Sequence, residues 1–274
     1  MRSVLTIPPQ CLFEGISLFR AANFPAKIRT SFSIVNITSA IFDCSAPDLA
    51  SCPDESLPEF AFIGRSNVGK SSLLNMLSGE PNLARVSKTP GFTKLINIFT
   101  MNRTWRLVDL PGYGYAHVAR EDKARFNKAV TEYLQHRANL CCVFALIDSG
   151  LAPQKIDLEF IEWLTRHSVP FVIAFTKTDK LPPLKAQANI DAFMARISEW
   201  YVQPPEIFTC SASTRQGRQE LLGMIEKTIE ALPPVSQSPE SKPERFAPQK
   251  KKPASNKKKN SHVAPKRPNP ARPW

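Results

Sequence analysis

The sequence is poor in the features that mark secreted, membrane-spanning or metal-binding proteins. Its 274 residues include six cysteines, with no C-x-x-C pair and no spacing typical of a disulfide framework. No apolar stretch reaches the roughly 18 residues of a transmembrane helix, and the N-terminus lacks the apolar core and small-residue cleavage site of a secretory signal. Cys141 and Cys142 lie inside the apolar run 140–147. These absences predict a cytoplasmic protein with buried thiols and no membrane span.

The most informative stretch that is present is G-R-S-N-V-G-K-S at 64–71, which fits the phosphate-binding loop (P-loop) pattern G-x-x-x-x-G-K-[ST]. The apolar residues 60–63 predict a buried strand before it, and 72–77 predict a helix after it. The loop's N–H groups and the helix dipole suit phosphate oxygens. Lys70 can place a charge near the β- and γ-phosphates, and the Ser71 hydroxyl can bind Mg²⁺. We therefore predict nucleotide contacts from Gly64, Arg65, Ser66, Asn67, Val68, Gly69, Lys70, Ser71 and Ser72.

A second motif follows a short apolar strand. Asp109, Leu110, Pro111 and Gly112 form a D-x-x-G sequence. In this motif the aspartate can hold Mg²⁺ through water, and the Gly112 N–H can reach a γ-phosphate. Asp-x-Pro-Gly also makes an ordinary turn, so the motif is weak evidence when it stands alone.

Two later segments predict which base is bound. T-K-T-D at 176–179 follows an apolar strand and matches the base-reading motif of GTPases, with Thr176 where Asn is commoner. The Asp179 carboxylate can accept hydrogen bonds from the N1–H and 2-amino group of guanine, which discriminates against adenine by roughly a thousandfold. Thr176 lacks the amide that would connect this base loop to the P-loop, so we expect looser guanine binding. The predicted base contacts are Thr176, Lys177, Thr178, Asp179, Cys210, Ser211 and Ala212, with a backbone N–H of 211–212 meeting guanine O6.

The four motifs each stand at the carboxyl end of a predicted strand, where open α/β sheets bind ligands. Strand and helix patterns alternate, which predicts an α/β, three-layer P-loop GTPase domain with a mostly parallel six-stranded sheet and helices on both faces. The two-residue connection 102–103 predicts a hairpin and hence one antiparallel strand. We predict strands at 59–64, 94–101, 104–109, 140–148, 170–175 and 206–210, and helices at 70–78, 120–137, 153–167, 184–202 and 217–232.

The composition divides the chain into three parts: a poorly structured extension at 1–33, a GTPase domain at 34–232 and a disordered basic tail at 233–274. The tail holds ten prolines, eleven Lys or Arg and two acidic residues, so it carries most of the chain's net charge of +12. Such a tail either follows a phosphate backbone electrostatically or is solvated without a partner. Residues 1–33 are basic and poor in acids, which fits an organellar transit peptide, an upstream start or a disordered leader.

The region from about 34 to 232 resembles the EngB (YihA/YsxC) family of ribosome-biogenesis GTPases, in the Era-like translation-factor class. The resemblance lies in F-I-G-R-S-N-V-G-K-S-S at 62–72, K-T-P-G-F-T at 88–93, D-L-P-G-Y-G-Y-A at 109–116 and T-K-T-D at 176–179. The Tyr-Gly-Tyr extension after D-L-P-G is its most specific element.

The resemblance implies roles that the residues alone leave open. From the sequence, Thr89 and Thr93 are equal candidates to join Ser71 on Mg²⁺, and the family's P-G-x-T pattern favours Thr93. Lys70, Thr93 and Gly112 are then the predicted catalytic residues. Phe92 departs from a position that is often polar in the family. The closing segment adds nucleotide contacts from Gly91, Phe92, Thr93, Lys94 and Leu95.

Slow intrinsic hydrolysis is predicted from the residue after D-x-x-G. Small signalling GTPases orient the attacking water with a Gln at this position, whereas this chain has Tyr113. Arg65 is a candidate arginine finger, although a surface position beside the P-loop is the simpler interpretation. Asn67 resembles the asparagine of GTPases that use K⁺ in place of a finger, so K⁺ stimulation is a hypothesis.

The resemblance further implies a bacterial cytosolic switch that uses GTP, GDP and Mg²⁺ in assembly of the large ribosomal subunit and is needed for normal division and septation. Its partner is then the large subunit or its rRNA, without DNA specificity, and we expect a monomer. Two alternatives stay open: an interaction protein of the division apparatus that uses GTP as a structural ligand, and another Era-like RNA-associated GTPase.

Overall fold

A computed structural model describes residues 36–84, 95–113, 120–201 and 204–232, with only the backbone for 120–127. Its strands are β1 (Ala40–Ala46), β2 (Glu59–Gly64), β3 (Ile96–Met101), β4 (Trp105–Asp109), β5 (Leu140–Asp148), β6 (Phe171–Thr176) and β7 (Ile207–Thr209). Its helices are α1 (Lys70–Ser78), α2 (Arg120–His136), α3 (Lys155–Arg166), α4 (Pro183–Ile197) and α5 (Arg218–Glu230). Over these residues, no helix combines the length and apolarity needed to cross a membrane.

The strands form one sheet in the order β1-β3-β4-β2-β5-β6-β7. β3 runs antiparallel to both of its neighbours, and the pairs from β4 to β7 are parallel. Asn102 and Arg103 join β3 to β4 with positive φ angles of 49° and 58°. Two positive φ angles match the turn that continues the twist of a hairpin. The mostly parallel α/β sheet with one antiparallel strand is therefore confirmed.

Strand β1 is a seventh strand that the sequence interpretation omits. Its residues do not alternate between apolar and polar, and both Ile41 and Phe42 are exposed. β1 is an edge strand that pairs only with β3, and its register shifts between Phe42 and Cys44. This segment joins the sheet through its backbone pairing with β3 and does not bury one face. Its sequence therefore lacks the alternation of apolar and polar residues that would predict a strand.

The five predicted helices and six predicted strands are all present, with small differences at their ends. The largest difference is at 184–202, where α4 ends at Ile197 and a short 3₁₀ turn, Ser198–Trp200, follows. Residues 94 and 202 of the predicted elements lie outside the described residues, as do 1–33 and 233–274.

Alternate residues of the central strands pack into two separate cores. Phe60, Phe62 and Phe144 face a core that α1 and α5 cover with Leu73 and Leu221. The other core lies against α2, α3 and α4 and includes Ala61, Ile63, Tyr133, Ile161 and Phe193. β2, β5 and β6 are apolar on both faces for this reason, as expected for the centre of a parallel sheet.

A buried ion cluster closes the end of the sheet opposite the predicted nucleotide site. Glu59 is fully buried at the start of β2 and accepts hydrogen bonds from Tyr133 Oη (2.6 Å), Arg137 Nε (2.9 Å) and Arg137 Nη2 (2.7 Å). Arg137 also donates to the Pro53 carbonyl (2.8 Å), and Arg106 donates to the Asp54 carbonyl (2.5 Å). The cluster therefore holds the segment before β2 against the base of the sheet.

We expect Glu59→Gln to lower the free energy of unfolding by about 3–5 kcal/mol, because the buried Arg137 would keep, among the described residues, only Glu55, a more exposed partner at 3.6 Å, as its counter-charge. Equilibrium unfolding in urea measures the change. Glu162→Gln is the matched control, since it breaks an exposed pair with Arg166 that is worth about 0.5 kcal/mol or less. A loss below about 1 kcal/mol for Glu59→Gln would contradict a stabilising role for the cluster.

Candidate guanine-nucleotide site

The P-loop leaves β2 at a point where only glycine fits. A Cβ on Gly64 would lie 2.7 Å from the Leu146 carbonyl oxygen and 2.9 Å from Val68 Cγ1. The chain then turns through positive φ angles at Asn67 (64°) and Gly69 (101°), and α1 begins at Lys70. This path directs the first N–H groups of α1 toward the loop, which is the arrangement that binds phosphate.

The D-x-x-G segment lies directly on the P-loop. The Leu110 N–H donates to the Phe62 carbonyl (3.1 Å), and the Tyr113 N–H donates to the Gly64 carbonyl (3.2 Å). A Cβ on Gly112 would lie 2.7 Å from that same Gly64 oxygen. The segment therefore extends β4 alongside the end of β2, with no room for a side chain at its last glycine.

A buried ion pair joins the two motifs. Lys70 Nζ donates to Asp109 Oδ1, and both side chains are almost fully buried. Asp109 Oδ2 faces Asn97 Nδ2 at 3.4 Å, and Asn97 Oδ1 accepts from Ser45 Oγ at 2.6 Å. Sequence reasoning missed Asn97, whose only signal is a polar residue between two isoleucines of β3.

The oxygen donors beside the Lys70–Asp109 pair suit Mg²⁺. Ser71 lies in the first turn of α1 and Asp109 ends β4, so a hydroxyl and a carboxylate, both hard ligands, stand on neighbouring elements. The described residues contain no group of three or more His, Cys, Asp or Glu able to hold a metal ion.

The base loop is bonded to the P-loop, which removes the reason for one expectation. Thr176 Oγ1 donates to the Val68 carbonyl at 2.6 Å and lies 3.3 Å from the Ile147 carbonyl. The lack of an Asn amide was our reason to expect looser guanine binding, and that reason does not hold, because the hydroxyl connects the two loops; looser guanine binding itself stays a prediction. The hydroxyl reaches the P-loop carbonyl because Thr176 ends β6, two strands from β2, at the same edge of the sheet.

Lys177 makes a second connection between the two loops. Its Nζ donates to the Asn67 carbonyl and to Asp148 Oδ2, each at 2.7 Å. Its side chain passes Gly69, where an added Cβ would lie 3.7 Å from Lys177 Cε. Sequence reasoning missed Asp148, although an acidic residue at the end of the apolar strand β5 was visible in the sequence.

Asp179 is placed to stay ionised. A hydrogen bond from Ser211 lowers its pKa below the ordinary aspartate value, and Ser213 adds to this effect. The Ser211 N–H donates to the Gln216 carbonyl at 3.2 Å. The Ala212 N–H is therefore the better candidate for guanine O6. Cys210 contributes only backbone at this edge, because its side chain is fully buried.

The structure brings the described motif residues to one edge of the sheet. They follow β2, β4, β6 and β7 at their carboxyl ends, as the spacing predicts. Leu95 is exposed just before β3. The predicted contacts Gly91, Phe92, Thr93 and Lys94 lie outside the described residues, as does the second tyrosine of the Tyr-Gly-Tyr extension.

Comparison with known sequences gives consistent matches over this region. The sequence family described as "50S ribosome-binding GTPase" matches residues 59–177. The chain is 48% identical over 192 residues to the probable GTP-binding protein EngB of Christiangramia forsetii, covering 70% of this chain and 97% of that protein. It is also 48% identical over 192 residues to the protein of the same name from Bacteroides thetaiotaomicron, covering 70% and 95%.

Solved structures agree on the fold. A crystal structure of a probable GTP-binding protein engB matches with a TM-score of 0.51 and 24% identity, over 63% of this chain and 98% of that one. Era, solved in complex with MgGDPNP and nucleotides 1506–1542 of 16S ribosomal RNA, matches with a TM-score of 0.51 and 20% identity, over 68% and 60%.

We expect Thr176→Val to weaken GDP binding by about tenfold, because the two loops lose a buried hydrogen bond worth about 1–1.5 kcal/mol. Thr176→Ser keeps the hydroxyl and should bind nearly as well as the wild type. Thr228→Val is the matched control, since Thr228 is equally buried and donates to the Met224 carbonyl (2.9 Å) on α5. Calorimetric titration with GDP measures all three, and equal losses at 176 and 228 would contradict the assignment.

Proposed function

Because the chain belongs to the EngB family of GTP-binding proteins and is a GTPase, we propose that it acts as a nucleotide-controlled switch on the assembling large ribosomal subunit. One observation carries the proposal. The P-loop is bonded to the D-x-x-G segment through Lys70 and Asp109, and to the base loop through Thr176 and Lys177. Phosphate and base contacts thus belong to one connected site.

We assign the nucleotide contacts within that site as follows. The P-loop N–H groups and Lys70 hold the phosphates, and Gly112 contacts the γ-phosphate. Asp179 reads the guanine N1–H and 2-amino group, and the Ala212 N–H meets O6. Ser71 and Thr93, together with the phosphate oxygens, would hold Mg²⁺, and the ion would supply positive charge to balance that of the transferred phosphoryl group.

Slow intrinsic hydrolysis follows from the groups beside D-x-x-G. The Tyr113 hydroxyl donates to Asp157 Oδ1 (3.0 Å), and Arg65 Nε donates to Asp157 Oδ2 (2.9 Å). Both groups therefore have a partner in the protein and are poorly placed to orient a water or to act as a finger. An arginine finger is worth roughly 10³–10⁵ in rate, so a partner that completes the site would accelerate turnover greatly.

The switch itself is proposed to involve the segments that adjoin the γ-phosphate. Gly112 and the residues after it, together with 86–94, would be ordered by GTP and released by hydrolysis. The family described as 50S ribosome-binding GTPases supports a ribosomal partner. Effects on division and septation would follow indirectly from ribosome supply, and the basic tail 233–274 would add electrostatic affinity for rRNA.

The rival is an interaction protein of the division apparatus in which GTP serves only as a structural ligand. The two functions differ in how nucleotide affects binding to ribosomes. A switch binds one nucleotide state more tightly than the other, whereas a structural ligand gives equal binding in both states.

We expect the full-length protein to co-sediment with purified large subunits at least tenfold more tightly with a GTP analogue than with GDP, since about 1.4 kcal/mol of state preference gives this ratio. A chain ending at Leu232 should keep this preference with lower overall affinity and a weaker salt dependence. Binding that needs the tail, ignores nucleotide and disappears with salt would contradict the proposal.

We also propose that K⁺ assists hydrolysis through Asn67, whose side chain is exposed on the P-loop. Single-turnover hydrolysis should be more than about tenfold faster in KCl than in NaCl of equal ionic strength. This increase is a small part of the rate effect of an arginine finger. Asn67→Gly should remove the difference while the backbone carbonyl of residue 67 still accepts from Lys177, because glycine tolerates the positive φ at this position. Identical rates of the wild type in the two salts would contradict K⁺ assistance.

A further inference from the structure

One carboxylate outside the motifs contacts two of them. Asp157 lies in the first turn of α3 with a side chain that is only 2% exposed. Its oxygens accept from Arg65 Nε at 2.9 and 3.0 Å, and Oδ1 also accepts from the Tyr113 hydroxyl at 3.0 Å. Asp157 therefore joins the second residue of the P-loop to the residue that follows D-x-x-G.

α3 holds Tyr113 by its ring as well as by its hydroxyl. The Phe160 ring lies 4.6 Å from the Tyr113 ring, centroid to centroid, with a tilt of 33°. Asp157 and Phe160 are three residues apart and so share one face of the helix. We call Arg65, Tyr113, Asp157 and Phe160 the Asp157 cluster.

The backbone of Tyr113 is held at the same time. Its N–H donates to the Gly64 carbonyl (3.2 Å), and its carbonyl accepts from the Ser66 N–H (3.3 Å). Tyr113 is thus bonded to the P-loop on both sides of its own backbone and to α3 through its side chain. The peptide group between Gly112 and Tyr113 therefore has little freedom to reorient, and this limits the conformations open to the Gly112 N–H on the other side of the same residue.

Burying the Asp157 carboxylate costs free energy, so a contribution to stability does not by itself explain the Asp157 cluster. Burial raises the pKa of Asp157 above the ordinary aspartate value, even though Arg65 opposes this shift. Buried ion pairs seldom stabilise a fold more than apolar residues of the same size would. A carboxylate at this position is better explained by the two donors that it orients.

We propose that Asp157 is a positioning residue for the γ-phosphate contact: by fixing Tyr113 and Arg65, it sets the orientation of the Gly112 peptide above the P-loop. The inference rests on the proposed function, in which Gly112 contacts the γ-phosphate. GDP has no γ-phosphate, so the cluster affects GTP binding and hydrolysis and leaves GDP binding almost unchanged.

The experiment compares Asp157→Asn and Tyr113→Phe with the wild type. Asparagine keeps the shape and leaves one oxygen for two donors, and phenylalanine removes the hydroxyl but keeps the ring against Phe160. Affinities for GDP and for a non-hydrolysable GTP analogue are measured by calorimetry, and hydrolysis is measured under single turnover. The ratio of analogue affinity to GDP affinity is the readout, because a loss of stability alone does not change it.

We expect the analogue affinity to fall about tenfold in Asp157→Asn and about threefold to tenfold in Tyr113→Phe, with GDP affinity within about twofold of the wild type. The two changes should add only partly in the double variant, because both act on the bond between Tyr113 and Asp157. Glu59→Gln is the matched control: it breaks a buried carboxylate–arginine pair at the other end of the sheet and should leave the affinity ratio unchanged.

Equal losses for GDP and the analogue in Asp157→Asn would overturn the inference, since Asp157 would then act on the whole site. An unchanged affinity ratio in both single variants would also overturn it. A wild type that binds neither nucleotide would overturn the proposed function and this inference with it, so the two failures are distinguishable.

Discussion

The nucleotide site depends on the close approach of three backbone segments at the carboxyl end of β2. The loop after β2 begins at Gly64, against the Leu146 carbonyl of β5, and the Gly112 backbone rests on the Gly64 carbonyl from the other side. A Cβ at either glycine would meet a backbone oxygen at 2.7 Å, and backbone oxygens of neighbouring strands cannot move aside. The positions of Lys70, Asp109 and the base loop all follow from this spacing.

The two ends of the sheet use charge differently. At the amino end, the Glu59 carboxylate accepts from Tyr133 of α2 and from Arg137, the residue after that helix, and has no exposed surface. At the carboxyl end, Lys70 and Lys177 each pair with an acidic residue beside the P-loop. In the proposed site the Asp109 carboxylate holds Lys70 Nζ in place beside the P-loop, so a phosphate would meet an oriented cation while competing with that carboxylate. The charges at the amino end thus stabilise the sheet, whereas the charges at the carboxyl end lie beside the P-loop.

The motif residues could be predicted because their chemistry requires particular residue types at fixed spacing. The helices and the central strands could also be predicted from the sequence, because apolar residues recur with the period of the element that buries them. Asp157 could not be found this way, because one acid in a helical first turn has the same signal as any dipole-compensating residue. Strand β1 was missed because an edge strand needs no alternation. Thr176 was identified, but its bond to the P-loop was not predicted, because only the three-dimensional fold brings its hydroxyl within reach of the Val68 carbonyl.

The buried Cys210 thiol has a chemical consequence for the loop after β7. Burial raises the pKa of Cys210 to about 12. The thiolate is the form that alkylating agents and peroxide attack, and burial disfavours it. Cys210 directly precedes Ser211, and its N–H is bonded to the Phe175 carbonyl at 2.8 Å. An adduct at this fully buried sulfur would force that backbone apart, so burial of the sulfur also preserves the position of the loop.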